Sequence, residues 1–173
     1  MPIVRLNHAV LYVRDLQASL EFYVGVLGFT RIEEMTPKGF AGAAFLRAPG
    51  STNDHDLGLF AIGEAAGPSL AGQATVGLYH LAWEVDTLEE LERLARDLSA
   101  AGALVGASDH GTTKSLYAHD PDGLEFEVAW IIPAELLTQD AKDARTSIRP
   151  LDLAAAQERY GATTRGGVGI SVT

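Results

Sequence analysis

The pattern of apolar and polar positions along the chain repeats once, at an offset of 72 residues. Segment 6–16, LNHAVLYVRDL, aligns with segment 78–88, LYHLAWEVDTL, so that leucine, histidine, valine and leucine recur at the same places. In both segments an apolar run typical of a strand leads into a polar position typical of a helix start. The repeat predicts two halves of similar structure, in which His8 of the first half matches His80 of the second.

A helix is predicted to follow the first strand of each half. Asp15 can cap the first helix, and Thr87 with Glu90 makes a T-x-x-E capping box for the second. Gly28 and Gly102 predict where the two helices stop. The apolar positions expected to face the core are Leu16, Leu20, Tyr23 and Leu27 in the first helix, and Leu88, Leu91, Leu94, Ala95 and Leu98 in the second.

Three short strand candidates follow each helix. They lie near 29–34, 41–47 and 55–62 in the first half and near 103–106, 113–119 and 124–130 in the second. The sequence Asp-Pro-Asp-Gly at 120–123 predicts a turn between the last two strands. Each half is therefore predicted to be β-α-β-β-β, which gives an α+β fold.

We expect the two halves to form one domain over residues 1–131, because neither half alone could bury both its helix and its open sheet. The first module spans 3–62 and the second 77–131, with a linker at 63–76 that is rich in Gly, Ala, Pro and Ser.

The segment 132–173 is a C-terminal extension that breaks the repeat. Residues 152–159 have a weakly helical pattern, and RGGVGI at 165–170 is typical of a flexible or edge segment. No chemistry can be assigned to this extension. We interpret it as a cover for a sheet edge or as a contact between subunits, and its length favours a homodimer.

Composition and charge narrow the function classes. The chain carries 13 Lys and Arg against 23 Asp and Glu, a formal net charge of −10, so that nucleic acid and anionic membrane are poor partners. Cysteine is absent, which excludes disulfides, zinc–thiolate sites and cysteine nucleophiles. No apolar run reaches membrane-spanning length, and MPIVRLNHAV lacks the layout of a signal peptide. We expect a cytoplasmic protein.

The five histidines include the matched pair His8 and His80. A lone strand histidine is usually a packed or surface residue. Two histidines at matched positions are a stronger indication of a metal site than a lone histidine, because a pseudo-twofold axis would bring both imidazoles to one point. A third ligand is sought on the last strand, where Glu125 and Glu127 share one face with Ala129. Either glutamate could instead be solvated or salt-bridged, but two imidazoles and one carboxylate suit iron(II) enzymes that bind substrate and dioxygen together.

These residues resemble the vicinal oxygen chelate superfamily, which includes glyoxalases, fosfomycin- and bleomycin-resistance proteins and type I extradiol dioxygenases. The resemblance lies in Asn7-His8, FYVGVLGF at 22–29 and DPDGLEFE at 120–127, and it covers roughly residues 3–131. It implies two βαβββ modules packed as a pseudo-twofold pair, whose mixed sheet cups a metal site. In that pattern the metal ligands are His8, His80 and Glu127, with Glu125 ranked below Glu127.

The resemblance points most strongly to the extradiol dioxygenases of the catechol 2,3-type. Glyoxalase-type sites usually take a fourth protein ligand from the last strand of the first half. The position that matches Glu127 there is expected to be Leu59 or Phe60, and neither side chain binds metal. A site with three ligands and open positions implies iron(II), with manganese(II) as a substitute, and a catechol and dioxygen as the reactants.

Three further residues fit the extradiol subgroup. The resemblance assigns His55 an acid–base role facing bound oxygen and gives Tyr117, ten residues before Glu127, a hydrogen bond to a catechol oxygen. It makes His110 a substrate contact, on a looser match. The simpler interpretations are loop-surface histidines and a packed strand tyrosine, and His119 is expected to be exposed.

Two rival functions remain at this point. A lyase or isomerase of the same superfamily would use the same three ligands on an enolisable substrate without dioxygen. A metal-free drug-binding protein would have no need of the ligand set.

Overall fold

The computed structural model of the chain describes residues 2–3, 5–72 and 74–167. The chain divides into two compact units. The first unit is Met1–Ser69 with Asp120–Gly123, and the second unit is Leu70–His119 with Leu124–Thr173. The change from one unit to the other between Ser69 and Leu70 lies within the predicted linker.

The first unit is a four-stranded mixed sheet with one helix. Its elements are β1 (Ala9–Val13), α1 (Leu16–Gly25), β2 (Thr30–Met35), β3 (Gly42–Arg47) and β4 (Leu57–Ala61). The strands lie in the order β1-β4-β3-β2, with β1 and β4 parallel and the other neighbours antiparallel. This is the predicted β-α-β-β-β arrangement.

The second unit repeats this arrangement and adds the C-terminal extension. Its elements are β5 (Leu81–Glu84), α2 (Leu88–Ala100), β6 (Leu104–Asp109), β7 (Thr113–His119), β8 (Glu125–Ile131), a 3₁₀ helix (Ala134–Leu136), α3 (Gln139–Asp143), β9 (Arg149–Pro150) and α4 (Leu153–Tyr160). The strand order is β5-β8-β7-β6-β9, with β5 and β8 parallel. The two sheets therefore confirm both the internal repeat and the α+β class. Among the described helices, none is long and apolar enough to cross a membrane.

Both predicted N-terminal helix caps form in the structure. The Asp15 carboxylate accepts from the backbone N–H groups of Gln17 and Ala18, and the Thr87 hydroxyl accepts from the N–H of Glu90. The regular part of α1 ends at Gly25, before the predicted stop at Gly28, because the last turn widens, with the N–H of Leu27 bonded to the carbonyl of Phe22 five residues back. Gly28, at φ +79°, then reverses the chain without a Cβ clash.

Each sheet buries the face that carries alternate apolar side chains, and each helix buries its predicted apolar stripe. The buried strand positions include Leu57 and Leu59 in β4 and Phe126, Val128 and Trp130 in β8. On β8 the opposite face carries the half-buried Glu125 and Glu127. In the helices, Leu27 and Ala95 are only half-buried, while the other seven predicted positions are buried.

The C-terminal extension covers an edge of the second sheet, as one of the two interpretations predicted. Strand β9 pairs antiparallel with the end of β6. Helix α4 coincides with the weakly helical segment and lies against α2, where Gln157 donates to the backbone carbonyl of Leu88 at 3.4 Å. The Trp130 indole donates to the carbonyl of Thr164 at 3.1 Å. Of the predicted flexible or edge segment 165–170, residues 168–170 lie outside the described residues.

The turn Asp120–Gly123 belongs to the first unit although its sequence interrupts the second. The buried Tyr23 hydroxyl donates to one oxygen of Asp120 at 3.0 Å, and the backbone N–H of Asp122 donates to the other at 2.9 Å. The backbone N–H of Arg14 donates to the Asp122 carboxylate at 2.9 Å. Burial raises the pKa of the Tyr23 phenol, and the negative charge of Asp120 raises it further.

We predict that Tyr23→Phe lowers the free energy of unfolding by about 1–3 kcal/mol, because a buried carboxylate loses a hydrogen-bond donor. Urea denaturation at pH 7 measures this, with Tyr12→Phe as the control, since Tyr12 is 66% exposed. The raised pKa of Tyr23 means that its contribution is complete below the pKa of an unfolded tyrosine, about 10, and falls above it. The gap between wild type and Tyr23→Phe should therefore narrow above about pH 10, and equal midpoints at pH 7 would refute the role of this hydrogen bond.

Candidate functional site

The two matched histidines occupy equivalent places in the backbone. His8 stands immediately before β1, and His80 stands immediately before β5. Each of these strands pairs in parallel with the last strand of its repeat. The repeat therefore places each imidazole at the start of an edge strand that lies beside the last strand of the same repeat, one in each unit.

In the first unit His8 lies beside His55. Their ring centroids are 4.6 Å apart, and the His55 ring also contacts Phe45 at 4.8 Å. The Nδ1 atom of His8 lies 2.7 Å from the amide oxygen of Asn7, and Nδ1 of His55 lies 3.0 Å from the Asp54 carboxylate. Both oxygens only accept hydrogen bonds, so Nδ1 is the protonated nitrogen in each ring. Nε2 is then the nitrogen that could bind a metal or exchange a proton.

A hydrogen-bonded loop holds these two histidines. The Asp56 carboxylate accepts from the Ser51 hydroxyl and the Asn53 amide, each at 2.7 Å, and from the backbone N–H of Ala48 at 2.9 Å. Partial burial raises the pKa of Asp56, but these donors outweigh burial and the net pKa is lowered. The Asn53 amide also donates to the backbone carbonyl of Asn7 at 2.8 Å. The loop before β4 is thereby tied to the segment before β1.

In the second unit His80 and Glu127 converge. The Nε2 atom of His80 lies 3.3 Å from a Glu127 oxygen, and Nδ1 lies 3.9 Å from a Glu125 oxygen. Strand register places Glu127 laterally between Ala82 of β5 and Tyr117 of β7, on the face opposite the buried apolar positions. Glu127 is therefore the nearer of these two carboxylates to the His80 ring.

The Tyr117 hydroxyl joins this cluster to His110. It lies 2.9 Å from Nε2 of His110, whose Nδ1 lies 3.1 Å from the carbonyl oxygen of Ser147. Burial raises the pKa of Tyr117 to about 12, and the negative charge of Glu127 contributes to that rise. Tyr117 therefore keeps its proton at neutral pH. The structure thus brings together four of the predicted site residues in the second unit, while His119 is exposed as expected.

Two observations test whether a metal ion suits the second-unit cluster. The His80–Glu127 distance of 3.3 Å is longer than a charge-assisted hydrogen bond of about 2.7–2.9 Å. The buried Nδ1 atom of His80 makes no hydrogen bond to the part of the chain that the structure describes. A cation between Nε2 and the Glu127 oxygen would suit that distance, and the Glu125 carboxylate, 3.9 Å from Nδ1, could orient the ring. Among the described residues, no three or more His, Asp or Glu side chains are grouped as a metal site.

The strand register corrects one sequence-based assignment. Val10 pairs with Gly58 and Ala82 pairs with Glu127, and Val10 matches Ala82 in the repeat. The counterpart of Glu127 is therefore Gly58, not Leu59 or Phe60. The offset between the halves is 72 residues at the first strands but 69 at the last (127 − 58 = 69), so the sequence alignment cannot be carried through unchanged. Glycine supplies no ligand, so the expectation of no metal-binding side chain there stands.

Sequence reasoning also missed the groups that hold the site residues. The Asn53–Asp56 loop left only a general signal, because asparagine, aspartate and serine are common in any turn. The contact between His110 and Ser147 left none, since a backbone carbonyl can come from any residue. By the same register argument, Phe45 is the counterpart of Tyr117, because it pairs with Gly58 as Tyr117 pairs with Glu127.

Comparison with known proteins places the chain among relatives of several activities. A catechol-2,3-dioxygenase of Bacillus subtilis strain 168 is 30% identical over 126 residues, which cover 71% of this chain and 40% of that protein. A lactoylglutathione lyase of Neisseria meningitidis serogroup A is 31% identical over 134 residues, which cover 72% of this chain and 88% of that protein. A solved glyoxylase/bleomycin resistance protein/dioxygenase domain from Frankia sp. EAN1pec has the same fold, with a TM-score of 0.65 and 22% identity over 77% of this chain and 96% of that one.

Residues 5–128 match the family described as the Glyoxalase/Bleomycin resistance protein/Dioxygenase superfamily. The matched range contains both repeats and all the predicted ligands. The match thus agrees with the βαβββ repeat and with the two relatives above, and the chain belongs to this superfamily.

Proposed function

We propose that the chain is an iron(II)-dependent extradiol dioxygenase that opens a catechol-type aromatic ring, with His8, His80 and Glu127 as the metal ligands. Manganese(II) suits the same ligands. The observation that carries the proposal is the glycine at the counterpart of Glu127. A glyoxalase-type site takes a fourth protein ligand from the last strand of the first half, and Gly58 has no side chain to supply one. Three ligands leave positions for substrate and dioxygen.

The donor set supports a metal in this role. In His8, Nε2 carries a free lone pair because the proton is on Nδ1. In His80, Nε2 lies 3.3 Å from Glu127, too far for a tight hydrogen bond. His8, His80 and Glu127 would hold the iron(II), which when bound would supply the Lewis acidity that lowers the pKa of a catechol hydroxyl.

The surrounding residues supply proton positions. Tyr117 keeps its proton at neutral pH and lies beside Glu127, where its oxygen can hydrogen-bond a substrate oxygen. His110 fixes that hydroxyl from the other side at 2.9 Å. His55, with Asp54 at Nδ1, presents Nε2 for taking up and returning a proton during the reaction.

A second candidate is a metal-dependent lyase or isomerase. It is favoured by the lactoylglutathione lyase of Neisseria meningitidis, because the match spans 88% of that protein, whereas it spans 40% of the Bacillus catechol-2,3-dioxygenase. Such an enzyme would use the same ligands on an enolisable substrate and consume no dioxygen.

We predict that protein reconstituted anaerobically with iron(II) consumes dioxygen when a catechol is added. Oxygen-electrode and absorbance measurements across a catechol panel should show equal amounts of dioxygen and catechol consumed and a muconic semialdehyde-type product. Isomerisation of a hemithioacetal without dioxygen uptake would instead establish the lyase.

We predict that wild-type protein binds about one divalent metal per chain and that His80→Ala loses it, because two remaining ligands hold iron poorly against water. Metal analysis after desalting measures this. His119→Ala is the matched control, since its imidazole is exposed and lies 3.7 Å from Glu125. Full metal occupancy in His80→Ala would remove His80 from the ligand set.

We predict that His55→Ala keeps its metal and binds catechol anaerobically, yet turns over about 10²–10⁴-fold more slowly, the usual contribution of a general acid–base group. Metal content, catechol binding and dioxygen uptake are compared on one preparation. Loss of metal would make His55 a ligand, and wild-type turnover would show that it has no part in proton transfer.

A further inference from the structure

The C-terminal extension encloses the turn that carries His110. This turn follows β6, and β9 pairs with the last two residues of β6, Ser108 opposite Pro150 and Asp109 opposite Arg149. Helix α3 lies against the same turn from a second direction. We refer to residues 139–150, which comprise α3, the turn after it and β9, as the positioning segment.

The positioning segment packs directly against the backbone of Gly111 in this turn. Gly111 has φ +77°, and a Cβ added there would lie 2.5 Å from the carbonyl oxygen of Ala141 and 2.8 Å from Cβ of Ala144. The turn is rigid on its other side, because the Asp109 carboxylate accepts from the backbone N–H of Gly111 and from the buried Lys114 ammonium, each at 2.7 Å. The turn and α3 therefore cannot shift independently.

The positioning segment also determines which nitrogen of His110 carries the proton. Nδ1 of His110 lies 3.1 Å from the carbonyl oxygen of Ser147, and a carbonyl only accepts, so the proton is on Nδ1. That carbonyl is held in place, because the N–H and the hydroxyl of Ser147 both donate to the carbonyl of Ala144, at 2.9 and 2.6 Å.

This tautomer fixes the direction of the next hydrogen bond. With the proton on Nδ1, Nε2 of a neutral imidazole only accepts, so the 2.9 Å contact is donated by the Tyr117 hydroxyl. Glu127 is the competing acceptor for the same hydroxyl proton. Once that proton is directed to His110, the lone pairs of the Tyr117 oxygen are free to accept a hydrogen bond from a substrate hydroxyl.

We propose that the positioning segment holds His110 in the Nδ1–H tautomer and thereby makes Tyr117 a hydrogen-bond acceptor toward the substrate. The substrate class is a molecule with a hydroxyl donor at that point, which a catechol provides. The substrate half of this inference rests on the proposed function, whereas the tautomer half rests on the contacts of His110 alone. Residues 139–150 act through His110 and are positioning residues.

The test combines histidine NMR with turnover. Two-bond ¹H–¹⁵N spectra of metal-free protein labelled in histidine report which ring nitrogen is protonated, and His110→Gln assigns the signal. Gly111→Ala drives a methyl group into α3. Gly102→Ala is the matched control, because Gly102 also has positive φ, +68°, but no described atom lies within 4 Å of its added Cβ.

We expect wild type and Gly102→Ala to show the Nδ1–H tautomer and Gly111→Ala to show a mixture. Relative to Gly102→Ala, Gly111→Ala should keep its metal content and lose about 10–100-fold in turnover, as for other supporting hydrogen bonds around metal sites. Ala144→Val, which presses on the same contact from the α3 side, should act in the same direction and replaces Gly111→Ala if that variant does not fold.

A proton on Nε2 of His110 in the wild-type protein would overturn the proposal. So would spectra and turnover of Gly111→Ala or Ala144→Val that equal those of Gly102→Ala. Because the spectra need neither metal nor substrate, a wild-type protein that shows the expected tautomer but takes up no dioxygen would refute the dioxygenase and leave the role of the segment intact.

Discussion

A carboxylate on an interior strand is the constraint around which the second unit is arranged. Only 14% of the Glu127 side chain is exposed, and removing an anion from water costs several kcal/mol unless cations or donors compensate. Its lateral neighbour on one side is Ala82, whose side chain has no hydrogen-bond donor, and on the other side is Tyr117. His80 stands at 3.3 Å. Tyr117 and His80 are therefore the neighbours that can compensate this charge, Tyr117 as a hydrogen-bond donor and His80 by sharing the proposed cation.

The first unit has the same backbone but the opposite chemistry. The register positions of Glu127 and Tyr117 are taken there by Gly58 and Phe45. An added Cβ at Gly58 would lie 3.4 Å from the Phe45 ring and 3.4 Å from the Val10 side chain, in van der Waals contact with both. The repeat has thus kept the histidine before the first strand in both halves and a carboxylate in one. This asymmetry is the reason for proposing three protein ligands and not four.

Most of the architecture could be predicted because it depends on local signals. Alternating apolar positions, the Asp15 and Thr87 caps and the turn at 120–123 determine short segments, and each of them was placed within a few residues. The register between distant strands could not be predicted in the same way. The halves differ in length between their first and last strands, so the sequence predicts Leu59 or Phe60 as the counterpart of Glu127, whereas the strand register makes it Gly58. Contacts made by backbone atoms, such as the Ser147 carbonyl, left no trace in the pattern of side chains.

The turn between β6 and β7 connects the C-terminal extension to the cluster of His110, Tyr117 and Glu127. Lys114 is 3% exposed, and burial lowers its pKa, although Asp109 at 2.7 Å acts in the opposite direction. Burial raises the pKa of Asp109, but its donors Lys114 and the N–H of Gly111 prevail and lower it. A buried ion pair of this kind contributes little net stability over an apolar pair. What it does provide is a fixed geometry for the turn. With one side of the turn fixed by this pair and the other by α3 and β9, the His110 imidazole lies between the Ser147 carbonyl and the Tyr117 hydroxyl.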